Sequence, residues 1–171
     1  MLRAVIFDRD GVLIEDTGYP HLPEDLRWRA GAIEAVAYLN RNNILALVAT
    51  NQSGVARGYF TEEDVVRFHA LMQEQLAAAG AHIDAYYYCP FHADAVVEKY
   101  RRADHPDRKP NPGMVLRALG DNAVRANEAV LIGDRESDLI AATRAGVQPV
   151  LFQTGDLDAL VRRLIEGATP F

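Results

Sequence analysis

The sequence has one cysteine, Cys89, among its 171 residues. No internal disulfide can form, and a disulfide-stapled secreted scaffold is ruled out. No apolar run approaches the roughly 18 residues needed to span a bilayer as a helix. The opening stretch, Met1-Leu2-Arg3-Ala4-Val5-Ile6-Phe7-Asp8, reaches an acid too soon to be the apolar part of a signal peptide. A cytoplasmic protein is expected. Positive charge is scarce: Lys plus Arg number 18 against 24 for Asp plus Glu, a formal charge of −6. That disfavours a nucleic-acid coat and electrostatic attachment to anionic lipid, so neither nucleic acid nor membrane is an expected partner. An anionic substrate would need a local cationic pocket rather than the field of the whole protein. There is no internal repeat, low-complexity tract or linker, and no G-x-x-x-x-G-K-[ST] phosphate loop.

What is present fits one domain spanning residues 1–171, expected as a monomer. Apolar residues make up 49% and charged residues 25%, as in an ordinary globular protein. A chain of this length buries roughly 70% of its unfolded surface, so it needs no metal or disulfide staple to be stable. Short apolar runs read as buried strands at Ala4–Phe7, Ile44–Ala49, Ile83–Tyr88, Ala129–Ile132 and Val147–Phe152. Helical spacing separates them, over residues 30–42, after a Thr61/Asp64 capping box up to Gly80, from Pro112 to about Leu119, from Glu136 to Ala145, and from Leu157 to Ile165. Strand alternating with helix implies an α/β fold, a doubly wound parallel sheet with helices on both faces. Ligands in such sheets sit at the carboxyl ends of the strands.

Polar clusters occupy those ends. Asp8-Arg9-Asp10-Gly11 follows the first strand, Thr50-Asn51-Gln52-Ser53-Gly54 the second, and Gly133-Asp134-Arg135-Glu136-Ser137-Asp138 the fourth; Arg108-Lys109-Pro110 precedes a helix. Carboxylates crowded together repel one another, and a hard cation such as Mg²⁺ relieves this. Asp8 and Asp134 are candidate Mg²⁺ ligands, with the backbone carbonyl of Asp10 as a third. Asp138, one helical turn after Asp134, suits a supporting position holding a metal-bound water. A carboxylate beside Mg²⁺ can attack phosphorus, a role given to Asp8. Asp10 would then serve as general acid and base. Lys109, the Thr50 hydroxyl and the Asn51 amide would cradle the phosphoryl oxygens. Taken singly, each residue has a plainer reading as a cap, turn former or solvated charge. Arg135 could hold substrate or merely stabilise the carboxylates.

The ordered set Asp8-x-Asp10-Gly11-Val12, Thr50-Asn51, Lys109 and Gly133-Asp134-x-x-x-Asp138 resembles the haloacid dehalogenase superfamily of phosphatases, from Val5 to about Phe152. The stretches Thr50–Gly58 and Arg108–Met114 narrow the resemblance to D-glycero-D-manno-heptose 1,7-bisphosphate 7-phosphatases and histidinol-phosphate phosphatases. The resemblance implies removal of a terminal phosphate from a small phosphorylated sugar or similar metabolite through an aspartyl-phosphate. It also implies substrate contacts at Asp16 to Tyr19, Thr50 to Ser53 (thus Asn51 and Gln52), Arg108 and Arg135. Arg135 stands where lysine is usual in the heptose enzymes. The family commonly binds a structural zinc through Cys-x-His and Cys-x-Cys. Here only Cys89 matches, with Phe91, His105 and Asp107 at the other positions. Cys89, His92, His105 and Asp107 form a degenerate candidate Zn²⁺ set; the alternative is a loop without metal, ordered by a short helix within Ala93–Arg102.

Fewer than twenty residues separate Gly11 from the helix near Ala30, too few for a separate cap domain, so an open site shaped by short loops is expected. Tyr19, Trp28, Tyr59 and Phe60 could line its mouth or pack beneath loops. Arg57 could hold a distal phosphate or sugar hydroxyls, or be a solvated arginine. Among rivals, a receiver domain would carry its acid after the third strand, where Tyr88-Cys89-Pro90 has none. A dehalogenase has no need of Asp10. A catalytically inactive phosphosugar-binding relative would not need an acid–base aspartate. Histidinol phosphate remains the main substrate rival.

Overall fold

A computed structural model describes residues 1–167; the last four residues of the expected domain, 168–171, lie outside the described residues. In chain order the elements are β1 (Ala4–Phe7), α1 (Ala32–Arg41), β2 (Leu45–Asn51), α2 (Glu62–Ala78), β3 (Ala85–Cys89), α3 (Gly113–Asp121), β4 (Ala129–Gly133), α4 (Glu136–Arg144), β5 (Gln148–Leu151) and α5 (Leu157–Glu166). The strands form one sheet of order β3-β2-β1-β4-β5, every pairing parallel. This is the doubly wound sheet that the alternating pattern implied.

Burial explains why β1 shows no alternation. Val5 and Phe7 enter a core shared with Val36, Leu39, Phe68, Met72, Leu160 and Val161, from α1, α2 and α5. Ala4 and Ile6 enter the opposite core, with Met114, Val115, Ala141 and Ala142 from α3 and α4. Both faces are covered, so both sets of positions must be apolar. The local signals also hold. Thr61 Oγ1 accepts from Asp64 N (3.2 Å), and Asp64 Oδ2 accepts from Thr61 N (2.8 Å), closing the capping box on α2. Strand β2 runs two residues further than its apolar run, through Thr50 and Asn51, because β3 pairs with it to the end.

The chain leaves β1 towards β2 and β3, then returns to lay β4 on the other side of β1. The switch point therefore lies at the carboxyl end of β1, flanked by β2 and β4. Between β1 and α1 the only regular helix is the 3-10 turn Pro23–Asp25, so no cap domain is inserted there.

Candidate active site

The switch point gathers the expected clusters. Asp8 follows β1 and is tied to the sheet by its N–H, which donates to Ile132 O (2.9 Å). A cavity of about 470 Å³ opens there. Asp8, Asp10, Thr50, Lys109 and Asp138 line it, as do Asp16, Tyr19, Asn51, Gln52, Ser53, Arg108 and Arg135.

Lys109 is the electrostatic centre. Its ammonium donates to Asp8 Oδ1 (3.0 Å) and Ala49 O (2.7 Å), and pairs with Asp138 Oδ1 (2.6 Å). Burial alone would lower its pKa, but the two carboxylates outweigh burial and hold it above the ordinary value. Asp8 is pushed up to about 7, first by burial and then by Asp138 and Asp10, against the pull of Lys109. Asp134 is raised for the same reasons, burial first and Asp138 next.

Asp8, Asp134 and Asp138 offer oxygens within 4.8 Å of one another. Asp134 Oδ1 is buried and has no hydrogen-bond partner. An orphaned carboxylate oxygen in an over-acidic cluster is a fit for a hard divalent cation. Asp138 is otherwise engaged: Oδ1 meets Lys109, and Oδ2 accepts from the N–H groups of Asp134 (3.2 Å) and Arg135 (3.1 Å). It pins the loop that carries Asp134. Gly11 lets the chains approach closely. At φ +89°, a Cβ there would lie 2.2 Å from Asp134 Oδ2.

Two of the lining polar side chains also make bonds that hold their neighbours. The Asn51 amide donates to Lys109 O (3.0 Å) and accepts from Lys109 N (3.0 Å), so it orders the lysine's backbone. Gln52 Nε2 donates to Thr50 Oγ1 (2.9 Å) and Asp10 Oδ2 (3.2 Å), bridging two strand ends. Arg135 reaches across the mouth to Asp16 Oδ2 (2.9 Å), and its charge pulls against the upward shift of Asp134. Tyr19 lines the cavity and meets Tyr59 edge-on, ring centres 5.0 Å apart. Trp28 instead packs on the core and donates to Gln75, and Phe60 is buried against His21. Arg57 does not line the cavity; its Nε is buried without a partner.

The degenerate zinc set does not assemble; among the described residues the aspartate trio is the one group spaced to hold an ion. Three of the four donors are engaged elsewhere, and the fourth is a buried thiol. His92 Nδ1 accepts from Asp94 N (3.0 Å), and His105 Nδ1 from Asp107 N (3.1 Å). Asp107 pairs with Arg117 (2.7 Å), and Cys89 is buried, which pushes its thiol pKa up. Phe91, standing where a ligand histidine is usual, stacks on His105 at 4.0 Å. Apolar packing orders the loop: Ala95 and Tyr100 join Val55, Ala56, Phe60 and Val65 in a small core of their own. The expected short helix within Ala93–Arg102 is reduced to one 3-10 turn, Glu98–Tyr100.

The strand-end reading missed Arg9 and His69. Arg9 is the largest fully buried side chain, and it contacts Asp10 and His69. The α2 spacing Val65-Phe68-Met72-Leu76 carries His69 onto the apolar face, a signal present in the sequence.

Comparison with known proteins decides the family. The chain is 39% identical over 163 residues to a D-glycero-beta-D-manno-heptose-1,7-bisphosphate 7-phosphatase of Rhodopseudomonas palustris, covering 95% of this chain and 89% of that one. The chain belongs to the haloacid dehalogenase-type phosphatases. This phosphatase is also 38% identical, over 87% of its length and 78% of the relative's, to a D-glycero-alpha-D-manno-heptose-1,7-bisphosphate 7-phosphatase of Burkholderia mallei. The HAD-hydrolase-like family matches residues 107–167. A solved structure, the D,D-heptose 1,7-bisphosphate phosphatase of B. bronchiseptica complexed with magnesium and phosphate, superposes with a TM-score of 0.86 at 30% identity, over 98% of this phosphatase and all of that chain. The phosphatase is thus a phosphoric monoester hydrolase with the superfamily's five-stranded sheet. No described helix is long and apolar enough to cross a membrane.

Proposed function

We propose that this phosphatase is Mg²⁺-dependent and removes the terminal phosphate of D-glycero-D-manno-heptose 1,7-bisphosphate through an aspartyl-phosphate on Asp8. The observation that carries the reading is the Lys109 ammonium on Asp8 Oδ1, beside the partnerless oxygen of Asp134. Asp8, Asp134 and the Asp10 carbonyl would hold the metal, which would neutralise the carboxylates and take up phosphoryl charge. An Asp8 oxygen attacks phosphorus as the bond to the sugar oxygen breaks. Asp10 gives that oxygen its proton. It then takes a proton from the water that displaces Asp8, releasing inorganic phosphate. Lys109 and the Thr50 hydroxyl serve the phosphoryl oxygens, while Asn51 and Gln52 hold Lys109, Thr50 and Asp10 in place.

The rim favours a substrate with a second phosphate. Arg108 is half-buried and donates to Phe91 O (3.3 Å); among the described residues it pairs with no carboxylate. Burial lowers its pKa, and the nearby positive charge of Arg57 adds to the effect. A half-buried guanidinium that lines the cavity without a carboxylate partner suits a distal anion. A bisphosphate supplies it and histidinol phosphate does not. Ser53, Tyr19, Asp16 and Arg135 would contact the sugar. The relatives' names include both anomers, so the anomer is left to the assay.

The test is phosphate release with Mg²⁺ from both heptose bisphosphate anomers, histidinol phosphate and a panel of phosphosugars, with Asp8→Asn as control. Preference for a heptose bisphosphate, lost in Asp8→Asn, supports the reading. Arg108→Ala is expected to raise KM more for the bisphosphate than for a monophosphate. Preference for histidinol phosphate would overturn the substrate, and no release from any compound would favour an inactive binding relative.

A further inference from the structure

The buried Arg9 has no duty in the reaction as described, yet its surroundings are built around the acid–base carboxylate. Its side chain is 1% exposed, whereas that of Asp10 is 19% exposed and faces the cavity. Nε donates to Asp10 Oδ1 (2.7 Å) and Nη2 to Asp10 Oδ2 (3.2 Å), a two-pronged grip that fixes the carboxylate plane. Nη2 also donates to Pro20 O (2.9 Å). Nη1 lies 3.2 Å from His69 Nε2. Arginine can only donate, so Nε2 must accept and His69 must be neutral. Burial keeps it so, pushing its pKa down to about 3, with Arg9 adding to the effect. The guanidinium lies 4.7 Å from the Phe68 ring centre, and His69 is stacked on Tyr86 at 4.4 Å.

Burying a guanidinium is unfavourable unless good partners compensate. Packing alone would be served by an apolar side chain. The partners instead form a chain from helix α2, through Arg9, to the one carboxylate that must meet the leaving oxygen. A branch runs to the carbonyl of Pro20, beside the cavity-lining Asp16, Gly18 and Tyr19. We propose that Arg9, anchored by His69, is a positioning residue: it orients Asp10 towards the leaving oxygen and links that orientation to the segment 16–20 that lines the cavity. The inference rests on the acid–base role proposed for Asp10.

A proton donor matters most when the leaving oxygen is a poor leaving group. An aryl phosphate with a good leaving group needs little help. The experiment measures single-turnover release of the leaving group from D-glycero-D-manno-heptose 1,7-bisphosphate and from p-nitrophenyl phosphate, with Mg²⁺, in Asp10→Asn, Arg9→Lys and His69→Phe. The phenylalanine keeps the stack on Tyr86 and removes the acceptor. Arg9→Lys is expected to slow sugar release about ten- to a hundred-fold, part of the roughly 10²–10⁴ that a general acid supplies. It should slow nitrophenol release less than about threefold, with KM nearly unchanged; His69→Phe should show the same pattern more weakly. Equal losses on both substrates, a change confined to KM, or failure of both variants to fold would overturn the proposal, because Arg9 would then be structural. If Asp10→Asn itself shows no dependence on the leaving group, the acid–base reading fails. If Asp10→Asn shows it and the folded Arg9→Lys does not, this inference alone fails.

Discussion

Replacing Lys109 with methionine keeps the length of the side chain and removes its charge. The ammonium it deletes satisfies Asp8 Oδ1, Ala49 O and Asp138 Oδ1 at 2.6–3.0 Å, in a site where Lys109 and Asp138 are both almost wholly buried. Removing one partner from a buried ionic group leaves uncompensated charge and typically costs about 3–5 kcal/mol. Asp8 can relieve part of this by taking a proton, since its carboxyl already sits near 7. The lower end, about 3 kcal/mol, is therefore expected. For a chain of this size each kcal/mol moves Tm by about 2–4 °C, so metal-free Lys109→Met should melt roughly 6–12 °C below wild type. The deficit should grow from pH 6 to pH 8. A carboxyl raised in the folded state binds more protons there than in the unfolded chain, and that contribution fades as pH rises. Added Mg²⁺ should recover more stability in the variant than in wild type. Phosphate release should fall by about 10²–10³, the usual cost of losing one preorganised donor to developing charge. Thermal melting in chelator and then with Mg²⁺, beside phosphate release, checks all three. A variant that melts within about 2 °C of wild type and keeps more than a tenth of the activity would refute the assignment of Lys109.

Two further outcomes follow from the same geometry. Mg²⁺ at about 100 times its Kd should stabilise wild type by about 2.7 kcal/mol, read as a rise in Tm. Gly11→Ala, which drives a Cβ into Asp134 at a positive φ, should lose most of that rise; an unchanged rise would remove Asp134 from the metal site. His69 is neutral when folded, with a pKa of about 3 against 6.5 unfolded, so the unfolded chain binds the extra proton as pH falls from about 6.5 to 3. Wild type should therefore lose stability on acidification by up to about 1.4 kcal/mol per pH unit more than His69→Phe, measured from urea midpoints between pH 6 and 4. Parallel slopes would show that His69 is not held neutral.

The positions of Asp8, Thr50 and Asp134 were legible because a doubly wound sheet delivers the carboxyl ends of β1, β2 and β4 to one place, and short apolar runs mark those strands. The duties of Asn51 and Arg135 were not. Asn51 bonds a backbone 58 residues away, and Arg135 bonds Asp16 across 119, pairings that local spacing does not encode. The loop from Cys89 to Asp107 misleads for another reason. Potential ligands survive at the right places in the sequence, but Phe91, Ala95 and Tyr100 have turned the segment into a small apolar core. Arg9 lay hidden between two acids that drew attention first, and only its burial sets it apart from an ordinary surface arginine.

Transfer of the phosphoryl group to Asp8 is the step on which the proposed reaction turns. It is tested most directly by acid-quenching the enzyme during turnover of D-glycero-D-manno-heptose 1,7-bisphosphate with Mg²⁺, then locating phosphoryl groups on its peptides by mass spectrometry and analysing the sugar product. A phosphoryl group on Asp8 and a product that keeps its anomeric phosphate are expected, with neither formed by Asp8→Asn. A phosphoryl group on another residue, or Asp8→Asn releasing phosphate at the wild-type rate, would contradict it.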